Sequence, residues 1–171
     1  MATVVCVLHD DDRLLLTRES EGPSSGTLKL VGGRVQPGES ALHACIREVE
    51  ERTHLRIMPS CAGLFFTANP GHIGDYGLAF VVDISTLAAK SDPTLEWVAL
   101  QDLDSRTDLD PVDRELIAPL LATDHPLAIV IAPKLEAEPG RMQIVAVSSI
   151  DGATLSPLVF AEMPEANRSD R

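Results

Sequence analysis

Residues 33–55 constrain the fold of this chain most, because they join a glycine-rich turn to an acidic segment of helical periodicity. The Gly32-Gly33 pair marks the turn, and Ser40 suits the N-cap of a helix that follows it. Four apolar residues then recur at i, i+3, i+4 and i+7, namely Leu42, Cys45, Ile46 and Val49. The pattern predicts a turn and a helix, with one side of the helix packed on a core.

The polar side of this predicted helix carries two carboxylates that could bind a metal ion. Glu48 and Glu51 are three residues apart, so their carboxylates lie on one face. Carboxylate and carbonyl oxygens are the ligands that Mg²⁺ and Mn²⁺ prefer, and the Gly32 carbonyl offers one more. The spacing is compatible with a divalent-cation site for phosphate chemistry. On spacing alone a solvated acidic face is favoured, supported by pairs such as Arg47 with Glu51 or Glu48 with Arg52, because acidic helix faces are common.

Composition limits the function classes. The chain has 171 residues, of which 44% are hydrophobic and 23% charged, which predicts a globular protein. The net charge of -12 disfavours nucleic-acid binding through phosphate contacts. Three cysteines without a C-x-x-C pair disfavour a disulfide framework and structural zinc. We find no signal-peptide pattern and no apolar run of membrane-spanning length, so the expected location is cytoplasmic, with no membrane partner.

Periodicity and turn residues predict alternating strands and helices. A hairpin is expected over residues 3–17, a short strand at 28–31, and a polar loop over 69–76. Later strands are expected near 62–67, 78–84, 95–100, 127–132, 143–147 and 156–160, with a second helix near 112–122. The predicted organisation is a domain over residues 1–125, a β extension over 126–163, and a frayed tail over 164–171. The extension either packs on the domain or forms a homodimer interface.

The acidic block resembles the Nudix box, G-x5-E-x7-R-E-U-x-E-E-x-G-U, in which U is a bulky aliphatic residue. The matching residues are Gly33, Glu39, Arg47, Glu48, Val49, Glu51 and Leu55. The flanking hairpin, the strand that ends in Gly-Gly and the later Glu96-Trp97 strand extend the resemblance over about the first 125 residues.

The resemblance implies the Nudix α/β/α sandwich, with a mixed β-sheet between helices. It also implies hydrolysis of a pyrophosphate linkage in a nucleoside diphosphate derivative, with Mg²⁺ or Mn²⁺. By position, Glu48, Glu51 and the Gly32 carbonyl match metal ligands. The residues that match structural positions of the box are Gly33, Glu39 and Arg47, the last two as an ion pair. A further acidic ligand is expected before or within the late strand, where Asp92 and Glu96 are the candidates.

Two residues depart from the box. Arg52 replaces its last glutamate, a metal ligand, and His54 replaces its glycine. Two unit charges ~6 Å apart interact by roughly 3 kcal/mol at an effective dielectric constant near 20, and a positive charge beside a divalent cation costs at least this much, so we expect weakened metal binding. Arg52 is also a candidate contact for a substrate phosphate. The expected residues for binding the rest of the substrate are Arg34, His72 and Tyr76.

The sequence therefore favours a Nudix-type pyrophosphohydrolase. The alternative is a catalytically impaired or repurposed Nudix-like module that binds a nucleotide or a partner protein. Arg52 is the residue that separates the two hypotheses.

Overall fold

The structure is a computed structural model, and it describes residues 2–69, 72–89, 91–122, 127–133 and 141–149. The strands are β1 (Ala2–His9), β2 (Arg13–Arg18), β3 (Leu28–Lys29), β4 (Val31–Arg34), β5 (Ser60–Asn69), β6 (His72–Asp83), β7 (Leu95–Ala99), β8 (Leu127–Pro133) and β9 (Met142–Ser149). The helices are α1 (Ala41–Thr53), a 3-10 helix (Leu100–Ser105) and α2 (Pro111–Leu121). No helix within these described ranges is long and apolar enough to span a membrane.

The described strands form one nine-stranded mixed sheet. Its main path runs β3-β2-β1-β6-β5-β8-β9, while β4 pairs with β1 and β7 pairs with β2. Strand β1 is parallel to β6, and β5 is parallel to β8. The other strand pairs are antiparallel. The sheet thus places the end of β4 directly before the loop that enters α1.

A hydrophobic core lies on each face of the sheet. One core includes Leu116, Ile117 and Leu120 of α2, and the other includes Cys45 and Val49 of α1. Because successive strand residues point to opposite faces, neighbouring residues of one strand enter different cores. The arrangement confirms the predicted sandwich of a mixed sheet between helices.

Helix α1 has two well-defined ends. The Ser40 hydroxyl accepts a hydrogen bond from the His43 backbone N–H, so the predicted N-cap is confirmed. At the other end His54 adopts the left-handed conformation, with φ 59°, and its N–H donates to the Glu50 carbonyl. This conformation suits glycine best, which explains why the box has glycine at this position. Leu42 is 43% exposed, so its predicted place in the buried stripe is wrong.

Helix α2 begins at a double cap. The Asp110 carboxylate accepts hydrogen bonds from the backbone N–H groups of Val112 and Asp113. Asp113 itself is buried and accepts a hydrogen bond from the Leu30 N–H at 2.8 Å, which ties α2 to the chain between β3 and β4. Burial, followed by repulsion from the Asp110 carboxylate, raises the pKa of Asp113 to about 7.

Four predicted segments differ from the structure or fall outside it. Within the expected loop over 69–76, Asn69 ends β5 and residues 72–76 belong to β6, and Asn69 pairs with His72. The expected strand over 28–31 is two short strands that pair with different partners, β2 and β1. The expected strand over 156–160 and the tail over 164–171 lie outside the described residues. Strands β8 and β9 extend the sheet beyond β5, and the domain boundary near residue 125 stays a prediction.

Candidate active site

Gly32 and Gly33 lie within β4 and not in the predicted turn, and Gly33 contacts Glu48 of α1 directly. A Cβ atom placed on Gly33 would lie 2.2 Å from Glu48 Oε1, so only glycine leaves room for this carboxylate. The Glu48 side chain is 11% exposed and lies against the backbone of β4. Gly32 is constrained differently, because its Cβ would lie 2.1 Å from the Val4 carbonyl oxygen of β1.

Arg47 joins the loop before α1 to the helix. Its Nε donates to Glu39 Oε1 at 2.8 Å and its Nη2 to Glu39 Oε2 at 3.0 Å. Its Nη1 donates to Glu48 Oε1 at 2.8 Å, and its Nη2 also donates to the Arg34 carbonyl at 3.1 Å. The hydrogen bonds from Arg47 lower the pKa of Glu39 to about 2. These contacts give Arg47 and Glu39 the loop-holding geometry that the resemblance implies.

Arg52 lies between two carboxylates. Its Nε is 3.9 Å from Glu48 Oε2, and its Nη1 is 3.8 Å from Glu19 Oε1. Both distances exceed those of a hydrogen bond, so these are ion pairs only. Glu19 directly follows β2 and did not feature among the sequence-based candidates. No local pattern indicates it, since its approach to α1 depends on the tertiary packing of β2.

The remaining acidic candidates do not complete a set of three ligands with Glu48 among the described residues, although Glu48 and Glu51 both contact Arg47 Nη1. Glu51 is 61% exposed, and its ion-pair contact is with Arg47 Nη1 at 3.6 Å. Asp92 Oδ1 accepts hydrogen bonds from the Thr94 hydroxyl at 2.6 Å and from the Thr94 N–H at 2.7 Å. These hydrogen bonds lower the pKa of Asp92. Asp92 therefore shapes the turn that leads into β7.

Glu96 lies on the opposite face of the sheet from α1. Its neighbours Leu95 and Trp97 pack against the core under α1, whereas Val98 belongs to the core under α2. Since side chains alternate along β7, Glu96 shares the α2 face with Val98. Its place among the expected metal ligands therefore disagrees with the strand register.

Glu96 belongs to a separate ion-pair network. It contacts Arg18 Nη2 at 2.6 Å and Arg106 Nη1 at 2.8 Å. Asp108 contacts the same two arginines at 3.0 and 2.8 Å. Partial burial acts to raise the pKa of Glu96, but the hydrogen bonds from Arg18 and Arg106 outweigh it and lower that pKa. The network joins β2 and β7 to the segment before α2.

The expected substrate-binding residues are spread over β4 and β6. Arg34 is exposed at the end of β4, where it pairs with Thr3 of β1. Tyr76 is 46% exposed on β6 and pairs with Ala2 of β1. His72 begins β6, and its side chain lies outside the described set. Arg34 and Tyr76 thus flank the first residues of β1.

The described residues do not fit a preformed site for the divalent metal that the Nudix box implies. Within the part of the chain that the structure describes, no three side chains from His, Cys, Asp and Glu converge as metal ligands. Both Glu48 oxygens face guanidinium groups, one from Arg47 and one from Arg52. The oxygen donors near Gly32 and Gly33 are too few, and Glu48 is already paired with two arginines, so the residues as arranged do not hold the ion.

Comparison with known proteins identifies the scaffold. The chain matches the family model "NUDIX domain" over residues 1–120. No curated protein matches it significantly. It is similar in structure to the mutator MutT protein of Bacillus halodurans, with TM-score 0.60 and 21% identity, over 84% of this chain and 96% of that one.

Two further solved structures share the fold. One is the MutT protein of Methanosarcina mazei Go1, with TM-score 0.57 and 22% identity, over 71% of this chain and 93% of that one. The other is the NUDIX domain of Shewanella oneidensis NrtR in complex with ADP-ribose, with TM-score 0.60 and 21% identity, over 71% and 86%. At identities of 21–22%, these similarities show only a shared fold. Family membership rests on the family model, which covers most of the sequence. The chain belongs to the Nudix family.

Proposed function

We propose that this protein binds a nucleoside diphosphate derivative in its Nudix domain and that Arg52 strongly reduces metal-dependent hydrolysis of the pyrophosphate linkage. The observation that carries the proposal is the position of Arg52, with its guanidinium between Glu48 and Glu19 at 3.9 and 3.8 Å. A cation fixed at this point repels the divalent ion on which the family's hydrolysis depends.

The retained parts of the box support binding. The Glu39–Arg47 pair fixes the loop before α1, and Gly33 still admits the Glu48 carboxylate. The ligand class follows from the family and from the related NrtR domain, which was solved with ADP-ribose. Arg34 and Tyr76 are exposed and remain our candidates for ligand contacts.

A second candidate function is metal-dependent hydrolysis itself, with Mg²⁺ or Mn²⁺ at Glu48, Glu51 and the Gly32 carbonyl. One observation favours it: the Arg52 contacts are longer than hydrogen bonds, so the side chain is held loosely. In this case Arg52 withdraws when the metal and the substrate enter together.

Ligand binding and turnover measured on the same protein preparation separate the two functions. A panel of nucleoside diphosphates joined to sugars, to phosphate or to a second nucleoside is added with EDTA or with Mn²⁺. Ligand at about 100 times its Kd stabilises the fold by about 2.7 kcal/mol, which for a chain of this size raises Tm by about 5–10 °C.

Our proposal predicts that at least one compound raises Tm in EDTA, with little or no release of product in Mn²⁺. Rapid, saturable turnover in Mn²⁺ that is lost in Glu51→Gln supports the second candidate and overturns the first. If no compound raises Tm and none is hydrolysed, both candidates are wrong.

A further inference from the structure

We infer that Arg52 is a tethered cation that takes the place of the divalent metal ion, and that Glu19 completes its binding site with Glu48. This inference rests on the proposed function, because it explains how a Nudix domain retains a shaped site without metal. It gives Glu19, which lies outside the box, a defined positioning role.

The two carboxylates reach Arg52 from different elements. Glu48 projects from the middle of α1, and Glu19 extends from the residue after β2. The Glu48 and Glu19 side chains are 11% and 28% exposed, whereas the Arg52 side chain between them is 38% exposed. One positive charge shared by two carboxylates is the arrangement that a bridging metal ion also creates.

The geometry excludes a metal ion while Arg52 stays in place. Mg²⁺ needs oxygen ligands at about 2.0–2.1 Å. The Glu48 and Glu19 oxygens instead lie 3.9 and 3.8 Å from nitrogens of the Arg52 guanidinium, a planar group that is far bulkier than a single ion. A metal can bind Glu48 here only if Arg52 leaves.

Glu48 also has little freedom to turn toward an ion elsewhere. One of its oxygens accepts the hydrogen bond from Arg47 Nη1 at 2.8 Å, and its carboxylate lies against the space above Gly33. The Arg47 guanidinium is in turn held by Glu39 through two hydrogen bonds. Loss of metal ligation at this site therefore follows from residue 52, although Glu39, Arg47 and Glu48 keep the positions that the box implies.

The test is titration of the full chain with Mn²⁺ alone, followed by electron paramagnetic resonance of the free ion. We expect no saturable site in the wild-type protein below millimolar Mn²⁺. Arg52→Ala should bind at least about tenfold more tightly and Arg52→Glu at least about 100-fold, because positive charge next to a divalent ion is removed or reversed.

Arg56 provides a matched control. It lies just after α1, is 90% exposed and pairs with Glu50 rather than with Glu48. Arg56→Ala and Arg56→Glu make the same charge changes and should leave Mn²⁺ affinity near the wild-type value. If substitutions at positions 52 and 56 increase Mn²⁺ affinity equally, only the net charge of the protein matters, and the inference is overturned.

The role of Glu19 is tested in the Arg52→Ala variant, which lacks the guanidinium between the two carboxylates. Adding Glu19→Gln to Arg52→Ala should weaken Mn²⁺ binding at least about tenfold, whereas an unchanged affinity removes Glu19 from the proposal. Circular dichroism checks that each variant folds, and the Arg52→Ala series remains informative if Arg52→Glu does not. Tight, saturable Mn²⁺ binding by the wild-type protein overturns the tethered-cation inference even if nucleotide binding in EDTA is found.

Discussion

Gly33 leaves no room for a side chain, because the Glu48 carboxylate occupies the space that a Cβ atom would take. In Gly33→Ala the new Cβ would lie 2.2 Å from Glu48 Oε1 and 2.3 Å from Glu48 Cδ. The atoms in the way belong to the end of a flexible side chain, so the backbone can stay in place while the carboxylate moves. The movement breaks the 2.8 Å hydrogen bond that Arg47 donates to Glu48.

The cost follows from that broken contact. A hydrogen bond between charged groups contributes about 1.5–3 kcal/mol, and alanine recovers about 0.5–1 kcal/mol relative to glycine within a strand. We therefore expect Gly33→Ala to lower the free energy of unfolding by about 1–2 kcal/mol and Tm by about 2–8 °C. Gly32→Ala is the contrasting case, because its Cβ would meet the backbone of Val4 and Val5 at 2.1 and 2.9 Å. Since β1 and β4 would have to separate, we expect a loss above about 3 kcal/mol.

Urea denaturation of four proteins tests the reasoning: wild type, Gly33→Ala, Glu48→Ala and the double variant. In the Glu48→Ala background the obstructing carboxylate is gone, so Gly33→Ala should be neutral or slightly stabilising. If Gly33→Ala costs the same free energy in both backgrounds, the contact between Gly33 and Glu48 does not explain the glycine.

Three other predictions concern pH and helix ends. The pKa of Asp113 is raised to about 7, so its contribution to stability is fully present below pH 4 and is lost as pH rises through 7. Asp113→Asn keeps an acceptor for the Leu30 N–H and should flatten the dependence of stability on pH, which reaches at most about 1.4 kcal/mol per pH unit. Urea midpoints measured between pH 4 and 7 test this, and a slope equal to that of the wild type contradicts the role of Asp113. His54→Gly relieves a left-handed backbone and should stabilise the protein by about 0.5–1 kcal/mol, seen as a higher Tm, whereas a lower Tm refutes the strain argument. Glu39 has its pKa lowered to about 2 by Arg47, so its contribution is present above about pH 4.5 and is lost as pH falls toward 2. Glu39→Gln should therefore lower Tm at pH 7 more than at pH 3, and an equal decrease at both pH values argues against the ion pair.

The parts of the fold that depend on local signals were predictable from the sequence. Ser40 caps α1 as expected, because capping involves residues only three apart. The Glu39–Arg47 pair also forms as the box implies. The pairing of Asn69 with His72 was missed, since polar residues with glycine and proline suggested a loop where the hairpin continues.

The parts of the site that depend on strand register were not predictable. Glu96 lies in the part of the sequence where an acidic ligand was expected. Side chains alternate along β7, however, and Glu96 points to the face of the sheet that packs against α2. Glu19 is the opposite case, because it belongs to the site although no sequence motif indicates it. Only the packing of β2 beside α1 brings it close to Arg52. A shift of one residue in register would exchange the faces of such side chains.

Arg18 and Glu19 are consecutive residues whose side chains leave the backbone toward opposite layers of the molecule. Arg18 is anchored by Glu96 and Asp108, while Glu19 reaches across to Arg52. A single peptide unit thus acts as a pivot between the two helical layers. We therefore expect a mutation in the segment before α2 that releases Arg18 to alter the contact between Glu19 and Arg52 on the other face of the sheet.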